Sequence, residues 1–200
     1  MSISRKRLWR DRLDSFRHEY KSPKFAIIDL MFGCIALFIN PYRACRKFLQ
    51  KRGVKDPYAY GETPFATYRR IVEMCGIGPQ DIWVEVGAGR GKGCFWLAHF
   101  IGCRVIGIEW VPQFGYIARL MKTLFRMKKM QWIGGNAETV DLNGATVIYL
   151  YGIWPSLKTP KGVKVITVSE PLEGFVVLKT FWVRYPWGRT AAFLQIKNSL

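Results

Sequence analysis

The sequence predicts an α/β fold: a doubly wound, mostly parallel β-sheet that ends in an antiparallel hairpin and follows a basic, partly apolar N-terminal helical arm. Three observations support this prediction. From residue 56 onward, strand-like apolar runs alternate with segments of helical periodicity, as is typical of a parallel sheet. The last two runs, 175–184 and 191–197, are separated only by a turn, which predicts the hairpin. Residues 1–55 differ from this pattern in charge and hydropathy.

Composition places the chain among globular proteins. Its 200 residues are 50% hydrophobic and 15% aromatic, which suffices for a core and excludes disordered and collagen-like classes. The formal net charge is +17, of which residues 1–55 carry +10, and this predicts an anionic partner: nucleic acid, a phospholipid surface or an acidic protein. Five scattered cysteines and two histidines predict no metal site and indicate a reducing compartment.

The arm contains one apolar block, residues 25–39, which Asp29 and Gly33 interrupt. It is shorter than the ~20 residues of a membrane span, and the charged leader before it does not fit a secretory signal. Two alternatives remain. The cationic flanks favour contact with an anionic membrane surface, which would make the protein cytoplasmic and peripheral on, or anchored to, the inner face of a membrane. Asp29 favours packing against the body of the protein.

The body, residues 56–200, is expected to form one domain. A helix is predicted to begin after Thr63 and Pro64, as N-cap and first-turn residue, with Phe65, Tyr68 and Ile71 on one face. Strands are predicted at 82–86, 104–109, 130–135, 145–151 and 163–169, ahead of the hairpin. Only about eleven residues join the fourth and fifth of these strands, so a crossover helix there must be very short or absent.

The sharpest local signal is the segment Glu85-Val86-Gly87-Ala88-Gly89-Arg90-Gly91, which follows an apolar strand and precedes a helix. Such glycines let the backbone approach a ligand at a helix N-terminus. The spacing fails both the GxGxxG dinucleotide pattern and the P-loop pattern. It does fit acid-x-Gly-x-Gly-x-Gly, in which the carboxylate at the strand end can hold an ammonium group, as S-adenosylmethionine would offer.

Two further polar segments follow at successive strand ends. Glu109 ends the next strand, where an acid can accept both hydroxyls of a ribose. Asn136 and Ala137 follow the third strand, where a polar side chain can meet the amine of adenine. These three segments, in this order, predict a nucleoside-containing cofactor.

In these motifs, over roughly residues 56–198, the chain resembles the Rossmann-like class I S-adenosylmethionine-dependent methyltransferases. The loop YGETPF, residues 60–65, resembles that of nucleosomal lysine methyltransferases that lack a SET domain. That resemblance implies that Tyr60 and Thr63 contact the methionine end of the cofactor, with Glu62 nearby. The chain is also similar to small methyltransferases that modify lysines of bioenergetic membrane proteins and often carry a hydrophobic N-terminal anchor.

The fourth strand and its exit supply aromatic side chains where this fold places its substrate. Tyr149, Tyr151 and Trp154 are the candidate catalytic residues, because aromatic walls favour a neutral amine and can hold a methylated cation. We therefore expect methyl transfer to a protein lysine, with an RNA methyltransferase or a non-catalytic membrane-associated module as alternatives. The apolar block 25–39 argues against an arm that binds only nucleic acid. The sequence leaves the oligomeric state undetermined.

Overall fold

The computed structural model describes residues 13–14, 16–54, 60–151 and 158–197. One seven-stranded sheet with the order β3-β2-β1-β4-β5-β7-β6 forms its centre. The strands are β1 Ile82–Val86, β2 Arg104–Glu109, β3 Met130–Gly134, β4 Val147–Tyr151, β5 Lys164–Val168, β6 Phe175–Tyr185 and β7 Gly188–Lys197. The first five pair in parallel, whereas β7 pairs antiparallel with β5 and β6. The predicted α/β class and terminal hairpin are confirmed.

Five α-helices that lie wholly within the described residues accompany the sheet. They are α1 Pro23–Phe38, α2 Pro41–Lys51, α3 Phe65–Cys75, α4 Lys92–Trp96, which continues as a π-helical turn Leu97–Ile101, and α5 Pro112–Leu124. The predicted helix at residue 65 is α3, but its N-cap is Pro64 and no side chain caps it. Thr63 was predicted to cap α3, and its hydroxyl instead shares a 2.8 Å hydrogen bond with the Tyr149 hydroxyl.

The two faces of the sheet are covered differently. On the first face, α1, α3, α4 and α5 pack over alternate strand residues such as Trp83, Val105 and Tyr149. The second face, which includes Val84 and Ile148, is covered by residues from the connections between strands. In the described part of the chain no α-helix contributes to this second cluster, because the connection from β3 to β4 forms only a 3-10 turn, Ala137–Thr139.

Helix α1 belongs to the core on one side only. Phe25, Ile28 and Phe32 are buried in the cluster on the first face, so this side packs against the body. The opposite side is exposed and apolar: Ile27, Leu30, Leu37 and Phe38. Within the described residues no single helix is long and apolar enough to span a membrane, and α1 and α2 reach that length only together, across a 58° bend.

Two sequence predictions lie outside the described residues. The predicted domain boundary at 55/56 falls within the segment 55–59, and Trp154 falls within 152–157. The site is therefore built from the other candidate residues.

Candidate functional site

The three segments predicted to bind a nucleoside meet at the carboxyl ends of β1, β2 and β3. The backbone N–H groups of Gly87 and Ala88 donate to the Ile108 carbonyl at 2.9 and 3.0 Å. The Gly135 N–H donates to the Glu109 carbonyl at 3.0 Å. These bonds join the ends of the three strands into one continuous rim, at the edge where open α/β sheets bind ligands.

The loop from β1 to α4 requires glycine at three places. Gly87, Gly89 and Gly91 have φ values of 70°, 58° and 91°, a backbone region that other residues adopt only with strain. Gly91 is also the N-cap of α4. Glycine at alternate positions of this turn thus leaves the backbone accessible from the cleft.

Glu85 is the buried acid beneath this loop. Its Oε1 accepts a 2.6 Å hydrogen bond from the Tyr68 hydroxyl, and the Cys94 thiol lies 3.7 Å from Oε2. Gly93 makes room for this contact, because a Cβ at position 93 would lie 2.0 Å from the Tyr68 hydroxyl oxygen. Glycine at position 93 is therefore needed for packing against Tyr68.

The environment of Glu85 fits an ammonium ligand. Burial raises the pKa of its carboxyl to about 7. No Lys, Arg or His from the described ranges lies within ion-pair distance of it, although the side chain lines the cleft. A buried carboxylate without a cationic partner costs free energy, which the ammonium of S-adenosylmethionine would offset. The residues present thus fit this cofactor.

Glu109 and Asn136 sit beside the glycine loop, with their side chains already engaged. The Glu109 carboxylate accepts one 2.8 Å bond from the Gly89 N–H and another from the Val111 N–H. Each carboxylate oxygen keeps a second lone pair, so the group can still accept from ribose hydroxyls. Asn136 Oδ1 accepts from the Glu138 N–H at 3.2 Å and caps the turn that begins with Ala137, which is buried.

The loop from Tyr60 to Thr63 covers the glycine loop. The Tyr60 ring packs against Gly89, where an added Cβ would lie 3.3 Å from it. The Tyr60 hydroxyl donates to Glu62 Oε1 at 2.7 Å, and the Arg90 guanidinium donates to the same oxygen through Nε and Nη2, at 2.8 and 2.6 Å. Glu62 thus joins this loop to the glycine loop through an ion pair.

Next to Glu85, on the neighbouring strand β4, hydroxyl groups from three distant segments meet. Tyr149 on β4 shares hydrogen bonds with Thr63, at 2.8 Å, and with the Tyr185 hydroxyl on β6, at 2.9 Å. Burial raises the pKa of the Tyr149 hydroxyl well above its usual value, so the group stays neutral and serves as a hydrogen-bond partner rather than a base. Tyr151 is half exposed, and its ring contacts that of Tyr185 at 5.2 Å.

These groups line one narrow cleft at the carboxyl edge of the sheet, with a free volume of about 40 Å³. The sequence-predicted residues that line it are Glu62, Thr63, Glu85, Gly87, Gly89, Tyr149 and Tyr151. The other candidates, Tyr60, Gly91, Glu109, Asn136 and Ala137, lie in the adjoining loops and strand ends. The cleft thus places the Glu85 carboxylate beside the Tyr149 hydroxyl of the neighbouring strand.

Sequence reasoning missed four residues that shape this site: Tyr68, Arg90, Trp132 and Tyr185. Tyr68 was assigned to a helix face without its role at Glu85. The Trp132 ring occupies space beside three glycines, since an added Cβ would approach it to 3.0 Å at Gly91, 2.6 Å at Gly107 and 3.0 Å at Gly115. A glycine inside a strand, as at 107, signals such a close approach.

Comparison with known proteins identifies the family. The family model described as histone methylation protein DOT1 matches residues 45–148. A histone-lysine N-methyltransferase of Dictyostelium discoideum, described as H3 lysine-79 specific, is 31% identical over 72 residues. The match covers 36% of this chain, which spans 4% of the length of that relative.

Solved structures confirm the fold. An RNA methyltransferase from Salinibacter ruber, in complex with S-adenosyl-L-homocysteine, superposes with a TM-score of 0.58 at 22% identity and covers 70% of this chain and 96% of its own. A mutant of MtNAS in complex with S-adenosylmethionine gives 0.54 at 13% identity, with coverages of 66% and 60%. The chain belongs to the DOT1 family of histone methylation proteins and has the seven-stranded fold of class I methyltransferases, whose cofactor is S-adenosylmethionine.

Proposed function

We propose that the protein transfers a methyl group from S-adenosylmethionine to the side-chain amine of a protein lysine. The observation that carries this proposal is the layout of the cleft. The buried carboxylate of Glu85 suits the cofactor ammonium, while Tyr149 and Tyr151 line the same cleft from β4. Kinship with a family of histone methylation proteins supports lysine as the acceptor.

Bound cofactor supplies an electrophile, the methyl carbon on a positively charged sulfur, so little acid–base chemistry is required of the protein. Glu85 and the glycine loop hold and orient that ligand. Tyr149, fixed by Thr63 and Tyr185, sets the position of the acceptor wall. The main contributions to the rate of such a transfer are the alignment of the amine nitrogen with the methyl carbon and sulfur, and the exclusion of water.

The acceptor amine must be neutral, because its lone pair forms the new N–C bond. The aromatic lining disfavours the ammonium form, so its proton passes to solvent as the side chain enters. The C–S electron pair stays on sulfur as the bond breaks. The half-exposed Tyr151 presents a ring that can stabilise the methylated cation by a cation–π contact.

We further propose that the exposed apolar side of α1 rests on an anionic membrane surface at the cytoplasmic, inner face. This side carries Ile27, Leu30, Leu37 and Phe38, and Phe38 is 89% exposed. Cationic residues precede and follow the apolar positions: Lys21, Lys24, Arg43 and Lys47. Apolar insertion flanked by positive charge is the chemistry that binds interfacial helices to anionic lipid.

Transfer of tritiated methyl groups tests the acceptor. The protein is incubated with labelled cofactor and, separately, with histones, membrane proteins and ribosomal RNA. We expect label in protein, with mass spectrometry locating it on lysine Nζ. Label confined to RNA would overturn the lysine proposal, and absence of label in every fraction would contradict transferase activity on these acceptors.

Vesicle binding tests the lipid surface independently. Wild-type protein should co-sediment with vesicles containing phosphatidylglycerol and less with pure phosphatidylcholine. The variant Leu30→Glu/Leu37→Glu changes only exposed positions and should lose this binding. Equal binding of both proteins to the anionic vesicles would refute the membrane proposal.

A further inference from the structure

Asp29 is the charged residue inside the apolar block, and the structure shows what it contacts. Its Oδ1 lies 2.7 Å from Lys92 Nζ, and its Oδ2 accepts a 2.6 Å hydrogen bond from the Tyr20 hydroxyl. Lys92 is the first residue of α4 and lines the cofactor cleft. A residue of the N-terminal arm therefore neutralises a cation of the cofactor site.

Arg90 provides a second link between the arm and the cleft. Its Nη1 donates to the Phe32 carbonyl of α1 at 2.8 Å, while Nε and Nη2 donate to Glu62. Glu62 thus neutralises the Arg90 guanidinium, and the Oε2 atom of Glu62 also lies 3.9 Å from Lys92 Nζ. The rings of Phe32 and Phe95, 5.3 Å apart, pack α1 directly on α4.

Both cations that the described residues contribute to the cleft wall are therefore paired with acids. The cofactor carries a positive sulfonium, whereas its product, S-adenosylhomocysteine, has a neutral sulfur and the same ammonium and carboxylate. An unpaired lysine on the cleft wall would repel the cofactor more than the product, and this repulsion is strong where water is partly excluded. Pairing Lys92 with Asp29 removes that repulsion.

We propose that Asp29 is a specificity-determining residue of the cofactor site: by neutralising Lys92, it makes the cleft favour the positively charged cofactor over the neutral product. This inference rests on the proposed function. It assigns to the arm a part in the exchange of product for cofactor, because a site that prefers the cofactor is less inhibited by the product. Asp29 acts through Lys92 and is a positioning residue rather than a catalytic one.

Calorimetric affinities for S-adenosylmethionine and S-adenosylhomocysteine test the proposal, because their ratio cancels every contact that the two ligands share. Asp29→Asn leaves Lys92 only the 3.9 Å pair with Glu62, which already neutralises Arg90, and should shift the ratio about fivefold toward the product. Lys92→Met removes the cation. Its preference for S-adenosylmethionine over S-adenosylhomocysteine should be at least as large as that of wild type. The double variant Asp29→Asn/Lys92→Met should restore the ratio lost in Asp29→Asn.

A matched control is Glu73→Gln on α3, which changes the net charge equally but breaks only the exposed pair with Arg70. It should leave the ratio unchanged. A loss of packing alone would weaken both ligands together, so an unchanged ratio in Asp29→Asn, or no rescue in the double variant, overturns the inference. Should Asp29→Asn not fold, a ratio shifted toward the product in Lys92→Met would overturn it equally. Wild-type protein that binds neither ligand would refute the proposed function itself.

Discussion

Two parts of the cleft are built in different ways. The glycine loop, with Glu85 at its start, is one contiguous segment, residues 85–93, that packs against Tyr68. The hydroxyl cluster beside it is assembled from Thr63, Tyr149 and Tyr185, which are separated by 86 and 36 residues along the chain. A contiguous motif constrains its own geometry, whereas a tertiary assembly depends on the whole sheet being in place. Damage to the glycine loop should therefore affect cofactor binding, and damage to the hydroxyl cluster should affect transfer.

The largest effect is expected from Glu85→Gln. This change removes the charge that faces the cofactor ammonium and nearly preserves the side-chain volume. Loss of one partner of a buried charge pair should weaken S-adenosylmethionine binding about a hundredfold. Calorimetry measures this loss, and binding within twofold of wild type would show that Glu85 does not hold the ligand.

The second largest effect is expected from Gly93→Ala. Its Cβ would lie 2.0 Å from the Tyr68 hydroxyl oxygen, so Tyr68 must move away from Glu85. We expect a loss of about 2 kcal/mol in the free energy of unfolding, typical of overpacking, together with weaker cofactor binding. Gly134→Ala is the matched control, since its Cβ would meet nothing within 4 Å. Equal denaturant midpoints for the two variants would contradict the packing account.

Cofactor affinity and stability should both depend on pH, because the pKa of the Glu85 carboxyl is raised. With this pKa at about 7, the carboxyl must lose its proton to bind an ammonium, so affinity should rise about tenfold between pH 5.5 and pH 7. Without cofactor, the stability of the protein changes with pH in the opposite direction. The folded state holds this proton more tightly than the unfolded state, whose pKa is near 4.5, so the free energy of unfolding falls as pH rises through that window.

Glu85→Gln separates the two effects. The variant should abolish the rise in affinity and should melt a few degrees above wild type at pH 8, but not at pH 4.5. Thermal melts at both pH values check this. A variant that melts below wild type at pH 8 would show that the buried carboxylate has a partner.

Tyr185→Phe should have the smallest effect and a different signature. It removes one hydroxyl partner of Tyr149 in the hydroxyl cluster, which costs about 1 kcal/mol in the free energy of unfolding. Methyl transfer should slow about fivefold while the cofactor dissociation constant stays the same. A matching loss of cofactor affinity would mean that the hydroxyl cluster and the glycine loop are not independent.

Much of the fold was predictable because parallel strands have a strong local signal. The apolar runs at 82–86 and 104–109 match β1 and β2 residue for residue, and the hairpin turn, Pro186 and Trp187, lies between the two predicted runs. The connection from β3 to β4 was less predictable. Its apolar residues Val140 and Leu142 cover the second face of the sheet without forming a helix, and short apolar segments carry no periodicity that reveals this.

The site, like the fold, contains residues that the sequence identifies and residues that only the folded structure brings together. Glu85, Gly87 and Gly89 stand in a motif with a physical reason for each position, so they were identified from the sequence. Tyr185 has no such signal, because it reaches Tyr149 only once β6 has folded back beside the sheet. Asp29 was visible as an isolated charge, but its partner Lys92 lies 63 positions away in the sequence and only the fold brings them together.

A crystal structure with S-adenosylhomocysteine bound would test the central claim most directly. We predict that the homocysteine ammonium lies within hydrogen-bond distance of the Glu85 carboxylate, with the adenosine beside Glu109 and Asn136. The sulfur should face Tyr149 on β4. A ligand bound outside the cleft, or with its homocysteine end turned away from Glu85, would contradict the account.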